Sequence, residues 1–187
     1  GKALGPDRID MAVAHIRTFG AGRGWPSGNL NRPRPMFTEK AFVEDEVVLT
    51  LGAAAQEPYE FQGKLVFEKR VGRRGQVEAV VPFGVMDRPA TRTDEGGWGG
   101  GLGDVAFGYK HVLVGVPSSG TIVSVLGEVV LPTGKERLGM GGGNFVFEPM
   151  ILLGQQLGPA GFVHFQGGAE VPLVENGTPE VFWRLAY

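Results

Sequence analysis

From residue 46 onward, apolar and polar positions alternate with a period of two. The clearest stretch is Asn144 to Leu173. In its second half Val163, Phe165, Gly167, Ala169, Val171 and Leu173 share one face. His164, Gln166, Gly168 and Glu170 share the other. Successive side chains of a strand point to opposite faces, so this period predicts a strand. The break at Leu157-Gly158-Pro159-Ala160-Gly161 makes the stretch a hairpin. Each arm is about as long as the roughly 9–11 residues that a strand needs to cross a bilayer.

The same pattern recurs in both directions. Val47, Leu49 and Leu51 predict a first strand over 46–54. Phe61, Gly63, Leu65, Phe67 and Val71 oppose Gln62, Lys64, Glu68 and Arg70. A tight turn at 72–75 leads to Val77, Ala79, Val81, Phe83 and Val85, which oppose Gln76, Glu78 and Gly84. A long loop is expected over 87–101. Val105, Phe107, Tyr109 and His111 then oppose Asp104, Ala106, Gly108 and Lys110. After a turn at 115–120, Val123, Val125, Gly127, Val129 and Leu131 oppose Ser124, Leu126 and Glu128. A Gly-rich loop over 133–143 precedes the hairpin. The last segment sets Val181, Trp183, Leu185 and Tyr187 against Arg184. This makes about eight strands, and their connections alternate between tight and long. Such a meander is the signature of an outer-membrane barrel, with tight turns in the periplasm and long loops outside. A periplasmic N-terminus puts every long loop on the outer side.

Alternation does not say which face is wet. The barrel reading sends the apolar rows to lipid. It makes Lys64, Glu68, Arg70, Glu78, Lys110, Glu128, Glu148, Glu170 and Arg184 the lumen-lining set. The apolar rows carry aromatics near their ends, and Gly and Ala that would fill a soluble core poorly. A soluble periplasmic barrel binding a small apolar ligand is the alternative, and it reverses the two faces.

Residues 1–45 differ. Ile9, Val13 and Ile16 lie at helical spacing after the candidate N-cap Asp7, so a short helix is expected within 1–20. Residues 21–45 carry Pro26, Pro33 and Pro35 among Gly and Asn, and read as a solvated linker.

Composition narrows the function. Lys and Arg total 18 against 20 Asp and Glu, which points away from nucleic acid. There is no Cys, hence no disulfide, thiolate metal site or covalent haem attachment. No apolar run is long enough for a membrane-spanning helix, which a strand-built membrane protein would lack in any case. The chain begins GKALGPDRID, without an initiator Met or an apolar leader, as a processed chain or a fragment would.

No catalytic constellation emerges, and no enzyme activity is expected. Gly101-Leu-Gly103-Asp-Val-Ala106 loosely matches a dinucleotide fingerprint but leads into a strand, so no helix N-terminus would face a pyrophosphate. His15, His111 and His164 share no ligand spacing. The charged inner row carries both signs, and ion pairing explains it better than acid–base catalysis.

LVFEKRVGRRGQVEAVVPFG, GLGDVAFGYKHVLV and GEVVLPTGKERLG, with Gly101 to Lys110 and Leu131 to Gly134 at their centre, resemble outer-membrane barrels of the phenol-degradation meta-pathway (transporter) type. The resemblance covers 44–187. It implies a bacterial outer-membrane location, the lipid bilayer as partner, and more strands than eight, hence a chain cut at its C-terminus. Val181, Trp183, Leu185 and Tyr187 would nevertheless suit a terminal strand. IDMAVAHIRTF and WPSGNLNRPRPMFTEKAF resemble the last helix of a c-type cytochrome domain and the linker that follows it. That resemblance implies haem c in a missing upstream domain, a periplasmic redox partner and an electron-transfer context. It places no cofactor on a residue of this chain.

Overall fold

The computed structural model describes residues 30–32, 38–88, 90, 96–158 and 161–187. The expected N-terminal helix, with His15, lies outside these residues. The chain forms one antiparallel sheet curled into a half-barrel. Its strands are β1 (Glu46–Ala54), β2 (Glu60–Val71), β3 (Gly75–Arg88), β4 (Gly97–Leu102), β5 (Val105–Val116), β6 (Thr121–Leu131), β7 (Val146–Leu157), β8 (Gly161–Pro172) and β9 (Glu180–Ala186). Neighbours in sequence are neighbours in the sheet, in the order β1-β2-β3-β5-β6-β7-β8-β9, with β4 paired to β3. Among the described residues, β1 pairs only with β2 and β9 only with β8. No helix among the described residues is long and apolar enough to cross a membrane.

The expected loop over 87–101 is corrected. β3 runs on to Arg88, and Gly97–Leu102 folds back onto it, pairing Arg88 with Gly97 and Phe83 with Leu102. Farther down, β5 takes over the same edge, pairing Val80 with Ala106. Between them Gly103 N donates to Pro82 O at 2.8 Å, so β4 and β5 are one strand broken by a one-residue bulge. Four of the six residues of β4 are glycines, which leave almost no side chains to reveal a period. Counted this way, the sheet is an eight-strand meander. A second irregularity, between Val112 and Val114, leaves Leu113 unpaired and exposed.

The two faces separate as the alternation demands. Val47, Leu49, Phe67, Phe107, Val125 and Ile151 are exposed on the convex side. The concave side buries Glu68, Gln76, Glu78, Lys110, Ser124, His164 and Gln166. It also buries an apolar group, Val112, Ile122, Leu126, Met150 and Leu152.

The described part of 21–45 departs from a solvated linker. Leu30, Thr38 and Lys40 to Glu44 are all buried, and Leu30, Ala41, Phe42 and Val43 join the apolar cluster on the concave side. The reason is local: inner apolar side chains on β5, β6 and β7 need a partner, and the Ala41-Phe42-Val43 run supplies it.

Candidate functional site: the filled concave face

The polar part of the concave face is built on β2, β3 and β5. Lys110 is fully buried; its Nζ lies 3.8 Å from Glu68 Oε1 and 4.0 Å from Glu78 Oε2. Gln76 joins the two carboxylates, its Nε2 donating to Glu68 Oε1 at 3.0 Å and Glu78 Oε2 at 3.1 Å. Register brings these groups together: Glu68 pairs with Glu78, and Gln76 with Lys110. Buried charge is costly unless it is paired; here the ammonium has both carboxylates at ion-pair distance, while its Nζ makes no hydrogen bond among the described residues.

Of the nine residues expected in the lumen, Glu68, Glu78 and Lys110 are buried on this face. Arg70, Glu128 and Glu148 are half-buried, and Lys64, Glu170 and Arg184 are exposed. Glu170 and Arg184 lie on β8 and β9, at the margin of the sheet, where no further strand among the described residues shields them. Arg184 Nη1 donates to Gln166 Oε1 at 3.4 Å, and its guanidinium lies 4.7 Å from the centre of the Phe182 ring.

Register also reveals a feature that alternation alone missed. Glu46 pairs with Glu68, Glu68 with Glu78, Glu78 with Gly108, Gly108 with Glu128, and Glu128 with Glu148. The pairs on either side of Glu148 place it opposite Glu170, and Glu170 pairs with Glu180. One line of carboxylates thus crosses the sheet along its hydrogen-bonding direction, interrupted only at Gly108. There the Glu78 side chain lies across the glycine, with Cγ 2.7 Å from where a Cβ would stand. Glu68 and Glu78 lie near the tight-turn end of their strands, Glu148 and Glu170 near the loop end. The line therefore climbs from one rim to the other, as strand tilt in a curled sheet requires.

The segment 38–44 rests against this wall. Gln166 Oε1 accepts from Glu39 N at 3.1 Å, Gln76 Oε1 accepts from Glu44 N at 2.7 Å, and Ser124 Oγ donates to Ala41 O. Lys40 Nζ pairs with Glu44 Oε1 at 2.5 Å. Phe42 and Val43 each gain about 1.5–3 kcal/mol from leaving water. Farther along, Arg32 Nη2 donates to Gln156 Oε1. Outside the wall Asp45 is held by Lys69 Nζ at 2.8 Å and by Arg70 N at 3.1 Å. The hydrogen bond from Lys69 holds the Asp45 carboxyl below the usual carboxylate range, against a smaller opposing effect of burial. The nearest thing to a signal for this segment was Leu126, an apolar residue between Ser124 and Glu128 on the inner row of β6, without an assigned partner.

Two further groups belong to the site's surroundings. Carboxylate oxygens of Glu44, Glu46 and Glu68 lie within 4.8 Å of one another, an all-oxygen set that suits a hard cation. His164 is buried with its ring edge-on to Phe162 at 5.2 Å, and neither ring nitrogen has a hydrogen-bond partner among the described residues.

The two motifs Gly101–Lys110 and Leu131–Gly134 meet at the β4–β5 bulge. Thr133 Oγ1 accepts from Val105 N at 2.9 Å and donates to Gly103 O at 3.0 Å. Asp104 accepts from Gly134 N at 2.8 Å and from Gly142 N at 2.7 Å. A side chain at Gly134 would collide with the Met140 carbonyl. These residues tie a long loop to the sheet, and Gly103 and Gly134 permit the close approach.

The fold and its interior define an up-and-down antiparallel sheet of the barrel type, incompletely closed and filled from within. No family model, curated protein or solved structure matches the chain.

Proposed function

We propose that this chain is the barrel part of a bacterial outer-membrane protein, with its convex face in lipid and its N-terminus in the periplasm. One observation carries the reading. The convex face leaves its apolar rows in the open, from Val47 (61% exposed) on β1 to Trp183 (72% exposed) on β9, while the paired charges lie inside. An exposed apolar surface of this extent needs a partner, and hydrocarbon is the one that fits a band running right round a curled sheet.

Among pore, transporter and anchor, the filled interior favours an anchor at rest. A closed barrel of eight strands is just filled by side chains. Here the concave face also holds main chain, from Thr38 to Glu44. The resemblance to barrels of the phenol-degradation meta-pathway type, and that of residues 1–43 to the end of a c-type cytochrome domain, adds an electron-transfer context. On that reading the barrel holds a haem-bearing periplasmic domain at the membrane.

The test is substitution on the convex face. Val125→Arg, in the middle of β6, is expected to cost about 2–4 kcal/mol when the protein is unfolded by urea from lipid vesicles. A cost near zero, with a native chain that stays monomeric without detergent and shows no heat-dependent gel mobility, would sink the membrane reading. The soluble ligand-binding barrel would then take its place.

A further inference from the structure

We infer that residues 38–44 are a releasable plug, seated on a face built to receive them, and that unseating them opens a polar passage along the inner side of β2, β3 and β5. The inference rests on the membrane-barrel reading and adds its regulation. Three features carry it.

First, the segment is buried without belonging to the sheet. Ala41 is 1% exposed and Val43 0%, yet neither lies in a strand. Main-chain groups of Glu39, Ala41 and Glu44 bond to the side chains of Gln166, Ser124 and Gln76, on β8, β6 and β3. These three are themselves at most 1% exposed. They are buried polar side chains that each turn one hydrogen-bonding atom to a backbone group of the segment, which is how a receptor for an extended peptide is built. Each bond is one that water can replace singly, unlike a ladder that must unzip.

Second, each of the two surfaces keeps its own ion pairs. Lys40 pairs with Glu44 within the segment. Lys110 pairs with Glu68 and Glu78 within the wall. Withdrawal breaks neither set. At the seat Glu44 meets Glu46 and Glu68, with carboxylate oxygens of all three within 4.8 Å of one another, so a carboxylate of the segment lies directly against those of β1 and β2.

Third, a fixed point lies beside the segment. Asp45 is exposed and tied to Lys69 and Arg70 of β2, so β1 stays registered when the preceding residues leave. With the segment out, Glu68, Gln76, Glu78, Lys110 and Ser124 face the interior.

The chain has no Cys, so introduced thiols report cleanly. The reporter is Val43→Cys in the full chain, probed with a charged, membrane-impermeant maleimide in detergent and in vesicles. Slow labelling is expected in the otherwise native chain. Gln76→Leu with Gln166→Leu removes two seats and is expected to speed labelling by about tenfold or more. Potassium efflux from vesicles should rise in parallel. A disulfide between Ala41→Cys and Ser124→Cys should abolish that efflux, and reductant should restore it. Should the double substitution fail to fold, Ser124→Ala removes one seat with no apolar loss and should move both readouts the same way.

Unchanged labelling in the unseated variants overturns the release, and faster labelling without added efflux overturns the passage. Efflux that persists under the disulfide overturns both. Labelling in detergent does not depend on insertion, whereas failure of the protein to float with vesicles counts against the membrane reading alone.

Discussion

The two sides of the concave face hold the same segment by opposite means. On β2, β3 and β5 the wall is ionic and amide-lined: Glu68, Gln76, Glu78 and Lys110. On β6 and β7 it is mainly apolar: Ile122, Leu126, Met150 and Leu152. The first wall is held largely by its own members across adjacent strands, with Gln76 Oε1 left to accept from Glu44 N of the segment. The second is satisfied only when Ala41, Phe42 and Val43 cover it. Polar groups thus set where the segment sits, and apolar burial supplies most of the gain from sitting there. The contrast says that damage to the ion pairs of the first wall should disturb the sheet itself, and damage to the apolar wall or to the seats Gln76, Ser124 and Gln166 the docking.

The largest effect is expected at Lys110. Lys110→Met leaves Glu68 and Glu78 buried without their cation and should cost about 3–5 kcal/mol in urea unfolding. Adding Glu68→Gln and Glu78→Gln should recover much of that loss. If Lys110→Met is silent, the polar wall is not held by its own members and the contrast fails.

On the apolar side, Leu152→Ala should cost about 2–4 kcal/mol through lost burial and a residual cavity. It should also speed labelling of Val43→Cys, whereas Lys110→Met with its two rescuing substitutions should not. Equal labelling in both variants would erase the distinction between the walls.

The smallest effect concerns the fixed point. The folded-state pKa of Asp45 is depressed by Lys69, so its contribution to stability is complete above the unfolded value and is lost as pH falls through the folded one. A pH series from neutral down through the carboxylate range should show a steeper decline in the native chain than in Asp45→Asn. Because Asp45 is exposed, the difference is expected to be slight. Coincident curves would remove Asp45 from the hinge.

Period-two alternation carried much of this fold, because a strand writes its two faces directly into the residue order. β1, the ends of the hairpin from β7 to β8 and the opposed faces of β2 and β3 follow from it. β4 escaped because Gly97, Gly99, Gly100 and Gly101 have no side chains to alternate. The charged members of the polar wall were visible as a row, but their grouping around Lys110 depends on inter-strand register, which turn lengths only loosely constrain. The carboxylate line was hidden for the same reason. The segment 38–44 was hidden more deeply. Thr38 to Glu44 has no period, and its partners Gln76, Ser124 and Gln166 are far away in the chain and ordinary in composition.

The unmatched margins of the sheet carry a consequence of their own. Counting β4 with β5, strand directions alternate through eight members, so β1 and β9 run in opposite senses. Their bare amides and carbonyls can therefore meet each other in an antiparallel seam, or meet the ends of any inserted set whose number is even. An odd insertion would force one parallel seam into an otherwise antiparallel wall. In hydrocarbon neither margin can stay bare, since every main-chain polar group there must find a partner. The parity of whatever closes this wall is thus fixed by the direction of its first and last strands.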